Sequence, residues 1–541
     1  MKFKSLFVLV LMQFSLVVQA CAELGTWSIP SIIRSGAIES DSQHIDVDPH
    51  GNAVAVWTEF FNGHYVVMAA TKPFDGGWSP PVVLSAQDNT TVNSTVAVDP
   101  NGNAVAVWMG GDSNYVFTVQ SASLPAGGVW TSPTTVSSPT STYDVLDIDV
   151  DGAGNFIAVW VQHDDSSEPK MQAAKLPFGG SWTMPVDLTP ASNSLFYPTV
   201  AVNGAGNAIA AWFRLDNQTG LGIIEAATSI SGDSWTVATP VSFFDIPFGF
   251  QIIPAAAIDP NGNALVLWID YNGSNNIVRS ASLPFGGIWS VPTQLSEEGA
   301  DGGDPDVAFN LAGYAVAVWT SSNNGGKNVV QSSNLSFGNS WSEPRMISPN
   351  VNDARNPLVS MDPKGNCISI WGDGEDNLQA ATQTNQGHWC GGMNIANPFE
   401  YHNSCSLAMD NYGNGIAVWR ISDASTLVSS SYKVNRIQPP TMVEGKQSHK
   451  GVRESGQLVN VIRWKSPLFT KPVAYRIYRD NALTQLLGTI SADEHPLRFK
   501  EQNCPKGITL TYYIVSVDEY DQISQSVFLA VQPIDPPPPD N

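Results

Sequence analysis

Basic residues, cysteines and charge of either sign are scarce in this chain of 541 residues. Only 14% of the residues are charged, and 26 Lys and Arg stand against 49 Asp and Glu, a formal net charge of −23. The imbalance is local. Residues 437–541 hold 11 basic and 11 acidic side chains, so residues 1–436 carry 15 against 38 and the whole of the excess. A surface of that sign repels nucleic acid and anionic headgroups, which excludes both as partners, and it favours solubility, basic partners or metal cations. The five cysteines (Cys21, Cys367, Cys390, Cys405 and Cys504) are too few to scaffold a chain of this length, so hydrophobic burial must hold the fold. Cys390 and Cys405 either staple two neighbouring units as a disulfide or are separate buried thiols. Catalytic signatures are missing as well. The eight histidines form no His-x-His, His-Glu-x-x-His or Cys/His metal spacing, and no Gly-x-Ser-x-Gly occurs.

Long apolar runs are confined to the N-terminus. Lys2 and Lys4, the stretch Leu6 to Val18 and the end Val18-Gln19-Ala20 read as an export signal over residues 1–20, because the run is too short to span a bilayer. No later stretch approaches 18 apolar residues, so no membrane-spanning helix is expected. The protein is expected to be secreted or held in the cell envelope. Val-Gln-Ala-Cys is similar to a bacterial lipoprotein cleavage box, which would make Cys21 a lipidated first residue, possible as an outer-membrane lipoprotein; Gln19 departs from that pattern, and plain secretion is the competing reading.

What the chain has in quantity is tryptophan in register. Trp57, Trp108, Trp160, Trp212, Trp268, Trp319, Trp371 and Trp419 each end a run like Gly-Asn-Ala-Val-Ala-Val-Trp, and Trp27, Trp78, Trp130, Trp182, Trp235, Trp289, Trp341 and Trp389 mostly open Trp-Ser-x-Pro. The distance from the second series to the next member of the first is 30 residues seven times and 33 once, from Trp235 to Trp268. One unit is therefore made eight times. In residues 95–108, two β-branched runs flank Asp99-Pro100-Asn101-Gly102, in which Pro100 presets a turn φ, Asp99 can bond forward to the backbone and Gly102 supplies positive φ. Asp or Asn stands first and Gly fourth in all eight copies. With a third run, as in Val119 to Leu124, and a fourth opening at Trp-Ser-x-Pro, each unit has four short strands in about 52 residues, the size of a propeller blade. The chain begins with a fourth-strand motif at Trp27, and its last unit lacks one. Those ends are complementary, so strand 27–33 is expected to complete the last blade and close the ring.

The fold expected is all-β: an eight-bladed β-propeller over residues 22–436, then a second domain over 437–533 and a Pro-rich tail at 534–541. The propeller part resembles secreted bacterial repeat proteins with Asp-x-x-Gly-Asn-Ala-x-Ala-Val-Trp units, loosely related in architecture to sialidase-type propellers. The second domain resembles a fibronectin type III domain in its proline entry (Pro439, Pro440), Trp464, Tyr475-Arg-Ile-Tyr-Arg-Asp480 and Thr511 to Asp518, and departs from it at Leu510, where a corner tyrosine belongs. The first resemblance implies a fold and an exported setting, not a reaction. The arginine triad of a sialidase has no counterpart among the seven arginines of residues 22–436, which share no position in the repeat, and the turn Asp lies nine residues before Trp rather than five.

Function is expected on the propeller face whose loops vary. Those are the loops between second and third strands and the blade connections, whereas the remaining turns are monotonous. Two features stand there. Phe243, Phe244, Phe248 and Phe250 crowd the twelve-residue connection ending at Pro254, as a partner-binding knob, a channel plug or a packing insert. Asp112, Asp164, Asp216, Asp270, Asp373 and Asp423 recur after the second strand, where they are either solvated loop acids or an acidic ring for Ca²⁺ or basic ligands. Asp147-Ile-Asp149-Val-Asp151-Gly152 looks like a calcium loop, but its place in a strand and turn argues that alternating side chains diverge. No cofactor is expected. The first functional reading is a monomeric, non-enzymatic binding or adhesion scaffold for protein or glycan; the alternative is a carbohydrate-active propeller, either a repeat lectin or a two-carboxylate glycoside hydrolase. The outer tryptophans are read mainly as packing, with sugar stacking as the alternative.

Overall fold

The structure is a computed structural model that describes residues 25–534 except 37, 87–89, 113, 115, 141–144, 164–167, 191–193, 246–251, 323–326, 350–352, 375–376, 386, 397–404, 422–425, 435–438, 451–456, 468–471, 518–522 and 525. The described residues are all-β, without a helix. None of their segments is a helix long and apolar enough to cross a membrane. Two compact units are present, Trp27–Lys433 and one built on Val434–Asn541.

Among the described residues of the first unit, the repeat folds into eight antiparallel sheets of four or five strands. Sheet 1 runs Ile38–Val47, Ala53–Phe61, His64–Lys72, Val82–Val83, and sheet 2 runs Thr90–Val98, Ala104–Gly111, Phe117–Leu124, Thr134–Thr135. The first strand of each sheet packs on the first strand of the next, and Cys405–Met409 of the last packs back on Ile38–Val47. The sheets thus close into a ring about their first strands, the arrangement of a β-propeller. Strands Gly25–Trp27 and Ser31–Arg34 both pair with Thr426–Val434, filling the edge the last sheet leaves open. Trp27 lies 5.5 Å from Tyr432 between ring centroids, and the Ser28 amide donates to the Ser431 carbonyl at 2.8 Å. An ion pair crosses the seam, with Arg34 Nη2 donating to Glu59 Oε1 of sheet 1 at 2.8 Å.

The two tryptophan series have separate jobs. All eight members within the second strand are fully buried between sheets, among the alanines and valines of the neighbouring strands. The other series stands half-buried at the outer rim, and after Trp78, as after Trp130, Trp182, Trp289 and Trp341, the paired fourth strand begins a few residues later. The ladder starts late because Pro80 and Pro81 have no N–H to contribute. The turns also bind the ring. Asp99 Oδ1 accepts the Asn101 and Asn103 amides at 2.8 Å each, and its Oδ2 accepts Asn103 Nδ2 at 2.7 Å. Asn103 Oδ1 in turn accepts the Ala126 amide of the turn between third and fourth strands at 2.9 Å, which gives the repeated Asn of Gly-Asn-Ala its purpose. Asp99 then abuts the next sheet, where Gly154 has φ +82° and an added Cβ would fall 2.6 Å from Asp99 Oδ2. The same approach joins Asp410 to Gly51 across the seam, so the glycine serves contact between sheets as well as the turn.

The 33-residue unit differs by an extra strand. Thr239–Asp245 pairs with Leu221–Ile230 beside the short Ser234–Trp235, making sheet 4 five-stranded.

The disulfide reading is corrected here. Cys405 is a free thiol, as are Cys367 and Cys504, whereas Cys390 is disulfide-bonded, so the two are not each other's partners. Cys390 lies in the outermost strand of sheet 7 and Cys405 in the innermost strand of sheet 8. That places roughly three strand spacings of about 4.8 Å between them, beyond the reach of about 7 Å that a bridge allows. Cys21 lies outside the described residues.

The second unit has two sheets, Thr441–Lys450, Gln457–Lys465, Arg498–Gln502 and Leu486–Ser491, Ala474–Tyr478, Leu510–Val517, Val527–Val531 in spatial order. Ile462, Trp464, Tyr475, Ile477, Tyr512 and Ile514 form its core, and Trp464 meets Tyr475 edge-on at 5.3 Å. Tyr512, two residues after Leu510, supplies the buried hydroxyl: it accepts from Asn460 Nδ2 at 2.7 Å and donates to Glu501, tying the two sheets together.

Candidate functional site

The described members of the acidic series do not act as one group. Asp112 is exposed and caps its own loop, Oδ1 accepting the Asn114 and Val116 amides at 2.8 and 3.0 Å, and those bonds hold its carboxyl below the usual range. Asp216 does the same with the Gln218 amide at 2.9 Å. Asp270 is buried against Arg279, Nε to Oδ2 2.5 Å. Asp373 is buried and accepts from Asn377 and Gln379. Asp164 and Asp423 lie outside the described residues. Among the described residues no group of three or more His, Cys, Asp or Glu is placed to hold a metal ion. In the apolar connection, Phe243 is 60% exposed, while Ile252 is buried between sheets 4 and 5. The Phe244 backbone pairs with Gly222, and Phe248 and Phe250 lie outside the described residues.

Carboxylates that the sequence reading set aside turn out to be organised. Asp147 and Asp149 sit two apart on a first strand and project to the same side, not to opposite faces. Each reaches the next sheet: Asp147 Oδ2 accepts the Val200 amide at 2.9 Å and Asp149 Oδ2 the Val202 amide at 2.6 Å. Asp46 does this with Val98 at 2.7 Å and Asp306 with Val359 at 2.8 Å. These amides belong to edge strands and would otherwise lack partners. The four side chains are only partly exposed, and burial pushes Asp149 up to about 8, Asp46 to about 7 and Asp147 and Asp306 to about 6.

A groove of about 880 Å³ lies between sheets 1 and 2. It runs along the monotonous turns, past Asn52, Lys72, Asn101, Gly127 and Trp130, rather than on the face with varied loops. Its character follows from one small substitution in the repeat. In sheets 2, 5, 6 and 8 the third strand carries Ser121, Ser280, Ser332 or Ser429 directly after the residue paired with the buried tryptophan; the Ser332 hydroxyl has no hydrogen-bond partner among the described residues, and the other three are used. The outer tryptophan of the following sheet donates its indole N–H there: Trp182 to Ser121 at 2.8 Å, Trp341 to Ser280 at 2.9 Å and Trp78 to Ser429 at 2.7 Å. Sheet 1 has Ala69 at this place. Trp130, half-buried above it, makes no indole hydrogen bond among the described residues, and Ala69 and Trp130 line the groove together. Trp235 stands over Ala173 in the same relation. The signal was present as Ser against Ala at a fixed repeat position, but it carries meaning only once third and fourth strands of adjacent sheets are known to face each other.

Asp48, the acid lining the groove, is spent on its turn, its oxygens accepting from the His50 and Asn52 amides and from Asn52 Nδ2 at 2.8, 2.9 and 2.7 Å. Lys72 borders it by its backbone, while its side chain follows Met68 and Ala70 to the face packed on sheet 8. The groove therefore offers an aromatic face, a free N–H and turn amides, and among its described lining residues there is no facing pair of carboxylates for glycoside hydrolysis.

No protein-family model and no curated protein matches the sequence. Solved structures align with this chain at low identity. The BP39L lectin from Burkholderia pseudomallei is 15% identical, with a TM-score of 0.45, over 68% of this chain and 100% of the lectin. A Penicillium chrysogenum α-L-arabinanase complexed with arabinobiose is 12% identical, with a TM-score of 0.38, over 53% of this chain and 92% of its own. The Hadza microbial sialidase Hz136 is 13% identical, with a TM-score of 0.35, over 63% and 66%.

Proposed function

We propose that this chain is an exported, carbohydrate-binding β-propeller of eight blades, followed by a fibronectin type III-like module that serves as spacer or second contact. The eight ringed sheets and the two-sheet unit after residue 440 support the domain reading. One observation carries the function: a groove between two blades exposes an indole whose N–H lacks the serine acceptor that Trp78, Trp182 and Trp341 meet. Sugar rings present C–H faces that stack on such an indole and hydroxyls that accept from it, and a groove of this size suits a short saccharide. Binding rather than cleavage is proposed, because the lining carboxylate is committed to its turn. Export is tested by the mass of the mature N-terminus, which differs between a diacylated Cys21 and a free end.

Glycan-array and calorimetric binding test the site. Trp130→Ala is expected to abolish saccharide binding. Ala69→Ser, which supplies the hydroxyl present in sheets 2, 5 and 8, is expected to weaken binding by roughly tenfold with the fold intact, the worth of about one hydrogen bond. Trp182→Ala should lower stability and leave binding alone. Equal binding by wild type and both groove variants would sink the proposal. A second reading, protein contact through the connection after Thr239–Asp245, is favoured by the exposed Phe243; Phe243→Ala would then remove partner binding without touching saccharide binding.

A further inference from the structure

We infer that Cys21 and Cys390 form a disulfide that fastens the N-terminal strand to sheet 7, so that the mature chain is released rather than held by a lipid on Cys21. Elimination names the pair. Cys390 is disulfide-bonded, and Cys367, Cys405 and Cys504 are free thiols. The sequence holds one further cysteine, Cys21, which lies outside the described residues. The described contacts lead to the same end of the chain. Cys390 belongs to Trp389–Ala396, the outermost strand of sheet 7, and pairs with Thr382. Residues directly across a ladder share a face of the sheet. The Thr382 side chain hydrogen-bonds the Tyr432 hydroxyl of sheet 8, so the Cys390 side chain is on the face turned to sheet 8. Tyr432 in turn meets the Trp27 ring, and Gly25–Trp27 is an outermost strand of sheet 8. Four peptide steps lead from Gly25 back to Cys21, an extended reach of about 14 Å, against about 10 Å between facing sheets. A bond there closes a loop of about 370 residues that holds nearly the whole ring. Cys390 is buried, which shields such a bond from exchange with outside thiols. Its formation is oxidative: the two thiols give up two protons and two electrons to a protein disulfide of the export compartment, which leaves as a dithiol, and one S–S bond forms. The inference rests on the export part of the functional reading, since the cytosol keeps thiols reduced, and it is independent of the saccharide site. Lipidation would occupy the same sulfur with a thioether, so the two fates of Cys21 exclude each other.

Mass spectrometry of the full chain, exported from a bacterial host and alkylated under denaturing conditions without reductant, reads the linkage directly. The mature protein is expected to begin at Cys21, to carry alkyl groups on Cys367, Cys405 and Cys504, and to yield one linked peptide pair joining Cys21 to Cys390. Alkylation after reduction should reach all five cysteines. Reductant is expected to lower the melting temperature by about 5 °C. Cys390→Ser and Cys21→Ser should each show that lower value, unmoved by reductant and unchanged when the two are combined. Five alkylated cysteines without reduction, a bond from Cys390 to another thiol, or a diacylglycerol on Cys21 would each overturn the pairing, whether or not the variants fold. A chain that keeps Met1 would overturn export alone, and the pairing is then read on that chain after refolding in a glutathione redox buffer.

Discussion

Trp57→Ala is expected to destabilise the ring by about 4 kcal/mol, more than any substitution in the outer tryptophan series. Trp57 is fully buried beside Ile33, Ile45, Ile416 and Leu427, so it packs against residues of the first sheet, the last sheet and the strand that closes them. Truncation removes a large apolar surface and leaves a cavity that rigid neighbouring sheets cannot collapse. A second loss follows at Glu59. Its Oε2 accepts the Trp57 indole N–H at 2.8 Å while Oε1 holds Arg34 across the seam, and Glu59 itself has no exposed surface. Without the indole, a buried carboxylate is short of a donor and the seam loosens. Trp78→Ala should cost about 2 kcal/mol, because that ring is half-buried and forfeits one hydrogen bond to Ser429. Urea unfolding gives both values, and limited proteolysis near Arg34 reports the seam. Equal losses in the two variants would show that the closure does not depend on the inner series.

The second large effect is on pH. Asp149 has a folded pKa pushed up to about 8 from 3.8, by burial first and by the nearby Asp46 and Asp147 charges after the bonds from Val202 and Val150 have partly offset it. Asp46, raised to about 7, adds to the same effect, and His44 on the same strand, lowered to about 4 by burial, is neutral over this range and offers no compensating charge. A carboxyl that binds its proton more tightly folded than unfolded stabilises the fold most below the unfolded pKa. Stability from these groups is therefore lost progressively as pH rises from about 4 to about 8. The wild-type ring should melt at a lower temperature at pH 8.5 than at pH 5. Asp149→Asn removes the ionisation and keeps an acceptor for the Val202 amide, so it should raise the melting temperature at pH 8.5 and change it little at pH 4. A variant that melts lower at both pH values would mean that the carboxylate form is what the ring requires.

Legibility differed by feature for physical reasons. The hairpin turn could be read at Asp99-Pro100-Asn101-Gly102, since Asx bonding and positive φ are local properties of four residues. The closure could be read from an unpaired motif at each end. The acidic series could not be ranked, because spacing after a strand says where Asp373 sits but not that Asn377 and Gln379 already occupy it. Asp147 and Asp149 were set aside as diverging, whereas a period of two puts them on one side, and what they meet there belongs to another sheet. Cys390 and Cys405 look adjacent because the chain is short between them, yet one is on the outer rim and the other near the axis.

By itself the sequence determined the repeat, the strand count per unit, the hairpins and the two classes of tryptophan, all of which follow from local propensity and periodicity. Only the tertiary structure decided which side chains of adjacent sheets face each other. That juxtaposition ties three outer indoles to serine hydroxyls, leaves Trp130 over Ala69 without such an acceptor, and sets carboxylates against the edge amides of the next sheet. Contacts of this kind join residues about fifty positions apart, and no property of either segment alone contains them.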